Sequence, residues 1–367
     1  MQLRLGDIAQ VIMGQSPQSQ YFNSNGHGKP FLQGNRTFGS KFPTYDTFTT
    51  AITKLGHKNS VVMSVRAPVG ELNVLSEDTC LGRGVCALNL VDPSIDPDFL
   101  FYALKGNSER LKAKQSGTVF GSINKSDIES LILELPDKAE WNAIAKFLGD
   151  IDRKILVNEQ INKNLEQQIQ EIFRSRFLTP GPSRDGWKKT TLADVSLIGA
   201  GGDKPKTVSA VQTTEYPYPI YSNGIRDEGL YGFSSGYKIE DESITVSARG
   251  TIGYVCLRHR PYTPIVRLIT LVPKKEIVSA KYLYLWLRNS KILGTGTTQQ
   301  QLTVPDFQKT EIVVPTAEEM NSFTDVVSPL FETIWANQAE NLKLANLRDI
   351  LLPKLFSGEL DISNIEL

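Results

Sequence analysis

The chain has 367 residues, 40% of them hydrophobic and 22% charged, and its 40 Lys and Arg residues balance 40 Asp and Glu residues. This length exceeds one typical domain and suits two, each of which can bury its own core. The neutral total lacks the excess of Lys and Arg that nucleic-acid-binding proteins usually carry, but it does not exclude local phosphate-binding patches. Three cysteines without a CxxC pattern predict neither a disulfide framework nor a zinc site.

No segment of the sequence is typical of a secreted protein or a membrane protein. The first residues, MQLRLGDIAQ, lack a charged region followed by a long apolar core. No apolar run approaches the roughly 20 residues that a membrane-spanning helix needs. We therefore expect a cytoplasmic protein that does not contact a membrane.

Residues 1–136 form the first predicted domain, which mixes strands and helices. Buried strands are predicted at 60–65, 84–91 and 128–135, and a helix is predicted at 98–115. Loops rich in Gly, Ser, Thr and Asn separate these elements, at 15–28, 34–50 and 116–125. Such loops on a scaffold of strands commonly carry recognition residues, although any single loop can be a mere connection.

A long helix is predicted next, over residues 137–178. Apolar side chains and two asparagines recur there at alternating steps of three and four: Trp141, Ile144, Leu148, Ile151, Ile155, Asn158, Asn162, Leu165, Ile169 and Ile172. This heptad seam is typical of a helix that pairs with another helix. A capping-box pattern at Asp137-Lys-Ala-Glu140 begins the helix, and the breakers Pro180-Gly-Pro182 end it.

The second half of the chain repeats the first. Ser64-Val-Arg66-Ala-Pro-Val-Gly70 is matched by Ser247-Ala-Arg249-Gly-Thr-Ile-Gly253, and the helical stretch at 99–104 is matched at 282–287. The heptad seam recurs as Met320, Phe323, Val327, Leu330, Ile334, Asn337, Asn341, Leu344, Arg348 and Leu351. A second capping box, Thr316-Ala-Glu-Glu319, precedes this seam, and we expect Pro353 to interrupt the helix.

These repeats predict an α+β fold with two tandem mixed α/β domains separated by two long helices. The predicted boundaries are 1–136 for the first domain, 137–178 for the first helix, 179–315 for the second domain, and 316–367 for the second helix with the C-terminal tail. An apolar seam is unstable in water, so we expect the two helices to form an antiparallel coiled coil with pseudo-two-fold symmetry. The alternative is two unrelated surface helices on two globular domains.

Two asparagine pairs occupy the seams at corresponding places, Asn158 with Asn162 and Asn337 with Asn341. A buried asparagine in a helix seam costs stability, but it selects one register when it finds a polar partner. We therefore expect these four residues to set the helix–helix register. The alternative is that they face solvent or a bound partner.

Over its whole length the chain resembles the specificity (S) subunit of Type I restriction–modification systems. The resemblance rests on the two domains, the paired helices, Pro219-Ile-Tyr-Ser-Asn-Gly224, Ser247-Ala-Arg-Gly-Thr-Ile-Gly253 and the ending Leu351-Leu-Pro-Lys-Leu-Phe-Ser-Gly-Glu-Leu360. It implies two target recognition domains, each reading one half of a bipartite site on double-stranded DNA. It also implies a complex with two methyltransferase (M) subunits and, for cleavage, restriction (R) subunits. The first domain has Ser64-Val-Arg66-Ala-Pro where the second has the family's Ala-Arg-Gly-Thr, so the two loops need not contact DNA alike.

Residues that read bases are expected on the loops, because Arg, Asn, Gln, Ser and Thr side chains hydrogen-bond to base edges. In the first domain the candidates are Gln33, Asn35, Arg36, Arg66, Thr118, Asn124 and Lys125. In the second domain they are Asn223, Arg226, Arg249, Thr297, Thr298, Gln299, Gln300 and Gln301. Two alternatives stay open: the run 297–301 can be a polar turn that caps the next segment, and Arg66 and Arg249 can bond carbonyl groups beside a strand.

The sequence lacks the patterns that catalysis on DNA requires. It contains no Pro-Pro turn of the kind that adenine methyltransferases use, and Gly199-Ala-Gly-Gly202 is not followed by a helix pattern. No spacing of carboxylates and lysine predicts a nuclease metal site, and His27, His57 and His259 stand in no triad pattern. We therefore expect no catalytic residue, no metal and no cofactor in this chain.

Two other functions compete with DNA specificity. One is an adaptor that binds no DNA and holds two protein partners on the paired helices, which a salt-dependent shift of duplex DNA would exclude. The other is a methyltransferase fused to recognition domains, and the missing catalytic patterns argue against it.

Overall fold

The computed structural model describes residues 1–108, 122–179, 184–294 and 301–360 of the chain. The chain forms two compact units. The first unit consists of Met1–Gln160 with Asn337–Leu367, and the second unit consists of Ile161–Ala336. Each unit therefore contains one mixed domain together with a part of each long helix.

The first unit is built mainly of short strands. Its strands are β1 Gln2–Arg4, β2 Ala9–Met13, β3 Phe22–Asn23, β4 Lys29–Leu32, β5 Phe48–Thr49, β6 Leu55–Gly56, β7 Val61–Ser64, β8 Leu72–Val74, β9 Thr79–Leu81, β10 Val85–Leu90 and β11 Ile132–Glu134. They form sheets with the orders β1-β11, β2-β10-β7-β8 and β3-β5-β4-β9-β6. Its shorter helices are α1 Leu5–Ile8, α2 Pro97–Gly106 and α3 Lys125–Glu129.

The sheet β2-β10-β7-β8 is the centre of this unit and is buried on both faces. Successive side chains of a strand point to opposite faces. Val61 and Met63 of β7 accordingly join the core cluster that contains α2, whereas Val62 joins a second cluster with Leu32 and Leu81. The central strands therefore carry continuous apolar runs, which is why the sequence predicts them well.

Two predicted elements differ from the structure. The strand predicted at 128–135 is instead α3 followed by β11, because Asn124 caps a helical turn: its Oδ1 accepts the backbone N–H of Asp127 at 3.0 Å. The helix predicted at 98–115 begins at Pro97, where Asp96 caps it, and its described part ends at Gly106. Residues 109–115 lie outside the described residues.

The second unit contains a similar set of elements. Its strands are β12 Lys188–Thr191, β13 Ser196–Ala200, β14 Tyr218–Tyr221, β15 Leu230–Ser234, β16 Ser243–Val246, β17 Val255–Arg258, β18 Thr263–Pro264, β19 Ile269–Pro273 and β20 Glu311–Val314. They form sheets with the orders β12-β20, β13-β19-β16-β17 and β15-β14-β18. Its shorter helices are α5 Leu192–Val195, α6 Ala280–Arg288 and α7 Val304–Phe307.

Two long helices complete the units. They are α4 Trp141–Phe173, which continues as a π-helical turn over Arg174–Leu178, and α8 Ala317–Ser357. In the first unit the two helices run antiparallel, because residues later in α4 contact residues earlier in α8. Asp152 accepts a hydrogen bond from Arg348 at 2.6 Å, and Asn158 donates to Asn341 at 2.8 Å.

Aromatic stacking joins both helices to the first domain. The ring of Phe99 on α2 stacks on Trp141 of α4 at 4.3 Å between centroids, and on Phe356 of α8 at 5.7 Å. Leu352 and Leu355 of α8 belong to the same core cluster. The first domain therefore buries its core against residues from near the other end of the chain.

The pairing in the second unit is also antiparallel and rich in aromatic contacts. Asn162 of α4 donates to the carbonyl of Ile334 at 3.5 Å, and Arg176 donates to Ser322 at 3.4 Å. The rings of Phe173 and Phe323 lie 5.9 Å apart. Both also lie beside Tyr282 of α6, so this core too is closed by the two long helices.

At the second long helix, the structure contains the predicted capping box but not the predicted interruption. Thr316 and Glu319 form the expected capping box, with Glu319 N–H donating to Thr316 Oγ1 at 3.3 Å and Thr316 N–H donating to Glu319 at 3.1 Å. The prediction that Pro353 interrupts the second helix is wrong, because α8 continues to Ser357. Proline removes one hydrogen-bond donor. The burial of Leu355 and Phe356 in the core outweighs that loss.

The two units repeat one architecture. The sheet β13-β19-β16-β17 has the strand order of β2-β10-β7-β8, and β12-β20 corresponds to β1-β11. A parallel strand pair stands beside each central sheet, β4 with β9 and β14 with β18. The predicted fold class is thus confirmed. No helix in the described part of the chain is long and apolar enough to cross a membrane.

A buried polar cluster joins α2, α4 and α8 in the first unit. The carboxylate of Asp152 accepts hydrogen bonds from Tyr102 at 2.5 Å and from Arg348 at 2.6 Å. Lys41 donates to Asp98 at 2.8 Å, and its Nζ lies 4.0 Å from Asp152. Arg348 occupies a seam position of α8, where an apolar residue would be expected. Its charge is paired with that of Asp152 inside the helix interface.

We predict that Arg348→Met lowers the free energy of unfolding of the first unit by about 3–5 kcal/mol, because Asp152 then lacks its main buried partner. Hydrogen exchange of the α2 amides measures this loss. The matched control is Lys354→Met, since Lys354 forms an exposed ion pair with Glu359 and its loss should cost about 0–1 kcal/mol. Equal protection of α2 in both variants would contradict the prediction.

Candidate nucleic-acid interface

In the first unit, a tight loop follows β7 and presents Arg66. Ser64 N–H donates to the carbonyl of Glu71 at 2.9 Å, and Gly70 N–H donates to the carbonyl of Ser64 at 3.0 Å, which closes the loop. The carbonyl of Val65 accepts the N–H of Ile123 at 3.1 Å. Arg66 is exposed next to these bonds, on a backbone held from both sides.

Two further loops join this one at the same edge of the sheet. Val65 N–H donates to the carbonyl of Gly84 at 2.9 Å, and Gly84 N–H donates to the carbonyl of Gln33 at 3.1 Å. Ser16 Oγ donates to Gln33 Oε1 and accepts the N–H of Arg83, both at 3.1 Å. The loops therefore hold the exposed side chains of Gln33, Arg66 and Arg83 near one another.

Glycines make this close approach possible. A Cβ atom added at Gly84 would lie 2.3 Å from the carbonyl oxygen of Gln33, and one at Gly82 would lie 2.8 Å from the Cα of Gln33. A Cβ at Gly14 would lie 2.1 Å from the carbonyl oxygen of Gly82. These contacts are with backbone atoms, so any larger residue would push the loops apart.

The second unit closes its corresponding loop in the same way. Ser247 N–H donates to the carbonyl of Tyr254 at 3.0 Å, and Gly253 N–H donates to the carbonyl of Ser247 at 2.9 Å. The carbonyl of Ala248 accepts the N–H of Leu302 at 3.0 Å. Arg249 is exposed beside this bond and donates to Oε1 of the half-buried Gln301 at 3.3 Å.

Asn223 replaces a direct backbone bond in the second unit. Its Oδ1 accepts the N–H of Ala248 at 2.7 Å, and its Nδ2 donates to the carbonyl of Val266 at 2.6 Å. Val266 and the exposed Arg267 have φ angles of 52° and 58°, in the left-handed region. The amide of Asn223 thus spans two loops, and its contacts are with backbone groups of the protein.

Other predicted residues lie apart from this cluster or bind protein groups. Arg36 is exposed and donates to both oxygens of Asp46, at 3.0 and 2.7 Å, and these hydrogen bonds lower the pKa of Asp46. Arg226 is exposed, with its Nε 3.7 Å from Asp227. Asn35 is half-exposed, and its carbonyl accepts a backbone hydrogen bond within its own loop.

The remaining predictions fall on or near the start of α3 and α7. Asn124 is the capping residue of α3, and the exposed Lys125 lies 3.5 Å from Glu129 in the same helix. Thr118 and the residues Thr297, Thr298, Gln299 and Gln300 lie outside the described residues. The structure therefore brings together Gln33 with Arg66, and Asn223 with Arg249 and Gln301.

Two arginines of these surfaces are missing from the sequence prediction, Arg83 and Arg267. Arg83 stands in the pattern Gly82-Arg83-Gly84 directly after a buried strand, and that pattern marks an exposed turn. Arg267 lacks flanking glycines. Only the correspondence of β18–β19 with β9–β10 identifies it.

Arg258 is a third arginine that is absent from the sequence-based predictions. Its hydrogen bonds hold a turn in place. It is buried, its guanidinium lies 3.6 Å from the ring centroid of Tyr221, and its Nε donates to Thr245 at 3.0 Å. It also donates to the carbonyl of Glu228 at 2.6 Å and to its carboxylate at 2.9 Å. These bonds fix the turn at Glu228, whose φ of 53° is unusual for a residue with a side chain.

Burial shifts the pKa values of several titratable side chains in the described part of the chain. Among the described residues, no three His, Cys, Asp or Glu side chains lie close enough to hold a metal ion. Burial raises the pKa of Cys86 to about 12 and that of Cys256 to about 11, which favours the neutral thiol in both. Burial lowers the pKa of His259, which stacks on Trp335, to about 4.

Comparison with known proteins places these surfaces in a family context. The family model described as Type I restriction modification DNA specificity domain matches residues 1–167 and 184–346. A putative type I restriction enzyme specificity subunit of Methanocaldococcus jannaschii is 36% identical over 163 residues, which cover 44% of this chain and 38% of that protein. A putative type I specificity subunit of Mycoplasma pneumoniae is 27% identical and covers 92% of this chain and 91% of its own length.

A solved structure supports the same fold. The crystal structure of a Type I restriction–modification S subunit from M. genitalium matches with a TM-score of 0.66 and 19% identity. The match covers 99% of this chain and 96% of that one.

We predict that Val266→Gly raises the free energy of unfolding of the second unit by about 1 kcal/mol, because a β-branched residue is strained at a positive φ and glycine is not. Urea denaturation followed by hydrogen exchange of β19 measures the gain. The control is Val255→Gly, at a negative φ in β17, which should destabilise the same sheet. A loss of stability in Val266→Gly would contradict the prediction.

Proposed function

The chain belongs to the family of Type I restriction–modification DNA specificity proteins, and from this we propose that each unit reads one half of a bipartite DNA target with the loops at the edge of its central sheet. The predicted family is confirmed by the model that matches most of the chain. Its function is DNA-sequence specificity in a Type I restriction–modification complex. Nothing in the comparisons favours the adaptor alternative.

One observation carries the proposal for the half-sites. The two central sheets close their loops with corresponding hydrogen bonds, but the exposed side chains on those loops differ. The first unit presents the exposed Gln33 and Arg66, and the second presents the exposed Arg249 beside the half-buried Gln301. Such a constant frame with variable side chains suits two domains that bind one kind of molecule and read different sequences.

The chemistry of these side chains suits the major groove of duplex DNA. Arginine donates two hydrogen bonds to O6 and N7 of guanine, and glutamine pairs with N6 and N7 of adenine. Arg66 makes no ion pair with the described residues, and Arg249 is held by Gln301 in a neutral contact. Neither guanidinium group is paired with a carboxylate among the described residues, so both can bind a negatively charged or polar ligand. Asn223 bonds to the backbone of these loops in the second unit, and Asn124 caps α3 in the first unit.

We further propose that this chain is not itself catalytic and serves two M subunits, with R subunits added for cleavage. The two repeated units offer two docking places. Each unit leaves apolar side chains of its long helices exposed, Val157, Leu342, Leu347 and Ile350 in the first and Ile161 and Val326 in the second. Exposed apolar side chains on a helix surface mark protein contacts when they gather in a patch. The complex would act in the cytoplasm, where chromosomal DNA lies.

We predict that Arg66→Gln relaxes recognition of one half-site and that Arg249→Gln relaxes recognition of the other. Each lost base contact should cost about 1–3 kcal/mol. Sequencing of sites methylated by the M–S complex measures both half-sites in one experiment. The two variants are matched controls for each other, since they remove the same charge at corresponding places. If either variant relaxed both half-sites equally, the modular reading would be wrong.

We predict a complex of two M subunits with one copy of this chain, measured by native mass spectrometry with excess M subunit. Replacing Leu347 and Ile350 by Glu should leave one M subunit bound, because the charges disrupt apolar docking on the first unit only. Replacing Val326 by Glu tests the second unit in the same way. A stable one-to-one complex of the unaltered chain would refute the proposed stoichiometry.

A further inference from the structure

We propose that Arg83 and Arg267, which lie in the corresponding connection of the two units, bind DNA phosphates and fix the position of each unit on the duplex without reading bases. This inference rests on the proposed function, because it assumes that both units bind DNA. It concerns two arginines that are not among the DNA-binding residues predicted from the sequence. It also separates positioning contacts from the base contacts proposed for Arg66 and Arg249.

The two arginines occupy the same connection of the repeated architecture. Arg83 lies between β9 and β10, and Arg267 lies between β18 and β19. At the start of each connection a backbone N–H bonds to the parallel neighbouring strand: Gly82 to Leu32 at 2.8 Å, and Ile265 to Tyr221 at 2.9 Å. The two connections therefore correspond in hydrogen bonds as well as in strand order. Within them Arg83 stands at the place of Val266, and Arg267 stands one residue later, at the place of Gly84.

The other end of the connection is also held alike. The loop after the first strand of each central sheet donates to it, Gly14 to the carbonyl of Val85 at 3.0 Å and Gly201 to the carbonyl of Leu268 at 2.8 Å. These loops accept the N–H of the arginines themselves. Arg83 N–H donates to Ser16 Oγ at 3.1 Å, and Arg267 N–H donates to the carbonyl of Gly201 at 2.8 Å.

Both side chains are exposed on these fixed backbones and lack a counter-ion in the described part of the chain. Some other arginines are paired with carboxylates, among them Arg36, Arg153, Arg258 and Arg348. A fixed backbone reduces the entropy lost when a side chain binds a ligand. An arginine that is fixed and unpaired in both units is therefore suited to an external anion.

Neighbouring cations strengthen this argument. Arg66 is bonded through Val65 to Gly84, the residue after Arg83, so two unpaired guanidinium groups belong to adjoining loops. In the second unit, the Nζ of Lys238 lies 3.4 Å from where a Cβ of Gly202 would stand, and Gly202 accepts the N–H of Val266. Like charges on neighbouring strands repel each other. A bound polyanion such as DNA would offset the repulsion between these cations.

The ligand atoms should be phosphate oxygens rather than base edges. Phosphates are the same in any two half-sites, whereas bases differ, so a feature common to both units suits the constant part of DNA. The planar guanidinium also matches phosphate with two parallel hydrogen bonds. The residues that differ between the units, among them Gln33 and Gln301, are left to discriminate sequence.

The test is the salt dependence of DNA binding by the M–S complex with Arg83→Gln, Arg267→Gln or both. Fluorescence anisotropy measures affinity for a duplex carrying the target found by methylation sequencing, and for one with both half-sites scrambled. Each lost phosphate contact should reduce the slope of log K against log salt by about 0.9. Affinity at 0.1 M salt should fall by about tenfold on both duplexes alike.

Arg153→Gln is the charge-matched control, because Arg153 lies on α4 and is paired with Asp150. A slope for Arg83→Gln equal to that of Arg153→Gln would overturn the inference, and so would a loss confined to the target duplex. Arg83→Lys should keep the slope, since lysine also binds phosphate as a point charge. Loss of the slope in this variant, with normal thermal unfolding, would equally count against phosphate binding. Absence of duplex binding by the unaltered complex would instead reject the proposed function itself.

Discussion

Each unit depends on the antiparallel pairing of α4 with α8, because neither mixed domain buries its core without both helices. In the first unit Phe99 stacks on Trp141 and on Phe356, which belong to different helices. In the second unit Phe173 and Phe323 make the same kind of closure around Tyr282. Large aromatic side chains dominate core energies. The last helix of the chain therefore contributes to the domain that the first residues form.

The same interface contains polar groups that an apolar seam would not need. Asp152 and Arg348 are charged and largely buried, and Asn158 bonds to Asn341 while its own Oδ1 has no partner among the described residues. Such groups cost free energy wherever they are not fully paired. A slip of either helix would separate them from their partners. We interpret them as features that favour one register over neighbouring ones at the expense of stability.

The loops at the edge of the two central sheets are held by similar hydrogen bonds but carry different side chains. In the first unit the loops join directly, through Val65 and Gly84, and glycines permit the contact. In the second unit the side chain of Asn223 spans the same place and holds Val266 at a positive φ. An exposed arginine follows in the corresponding connection of each unit, one residue later in the second unit. The side chains that differ between the units therefore stand on a similar backbone.

The periodic patterns of the chain were sufficient for its repeats and its long helices, because apolar periodicity and capping boxes depend on local sequence. The same local rules failed at Pro353, where packing of Phe356 against Phe99 keeps the helix intact. They also could not predict that Arg36 is paired with Asp46, or that the side chain of Asn223 bridges two loops. Only the pairing of distant strands places Arg83 and Arg267 in corresponding connections of the two units. Which polar side chain is free for a ligand is decided by its partners across the sheet, and those partners are far away in sequence.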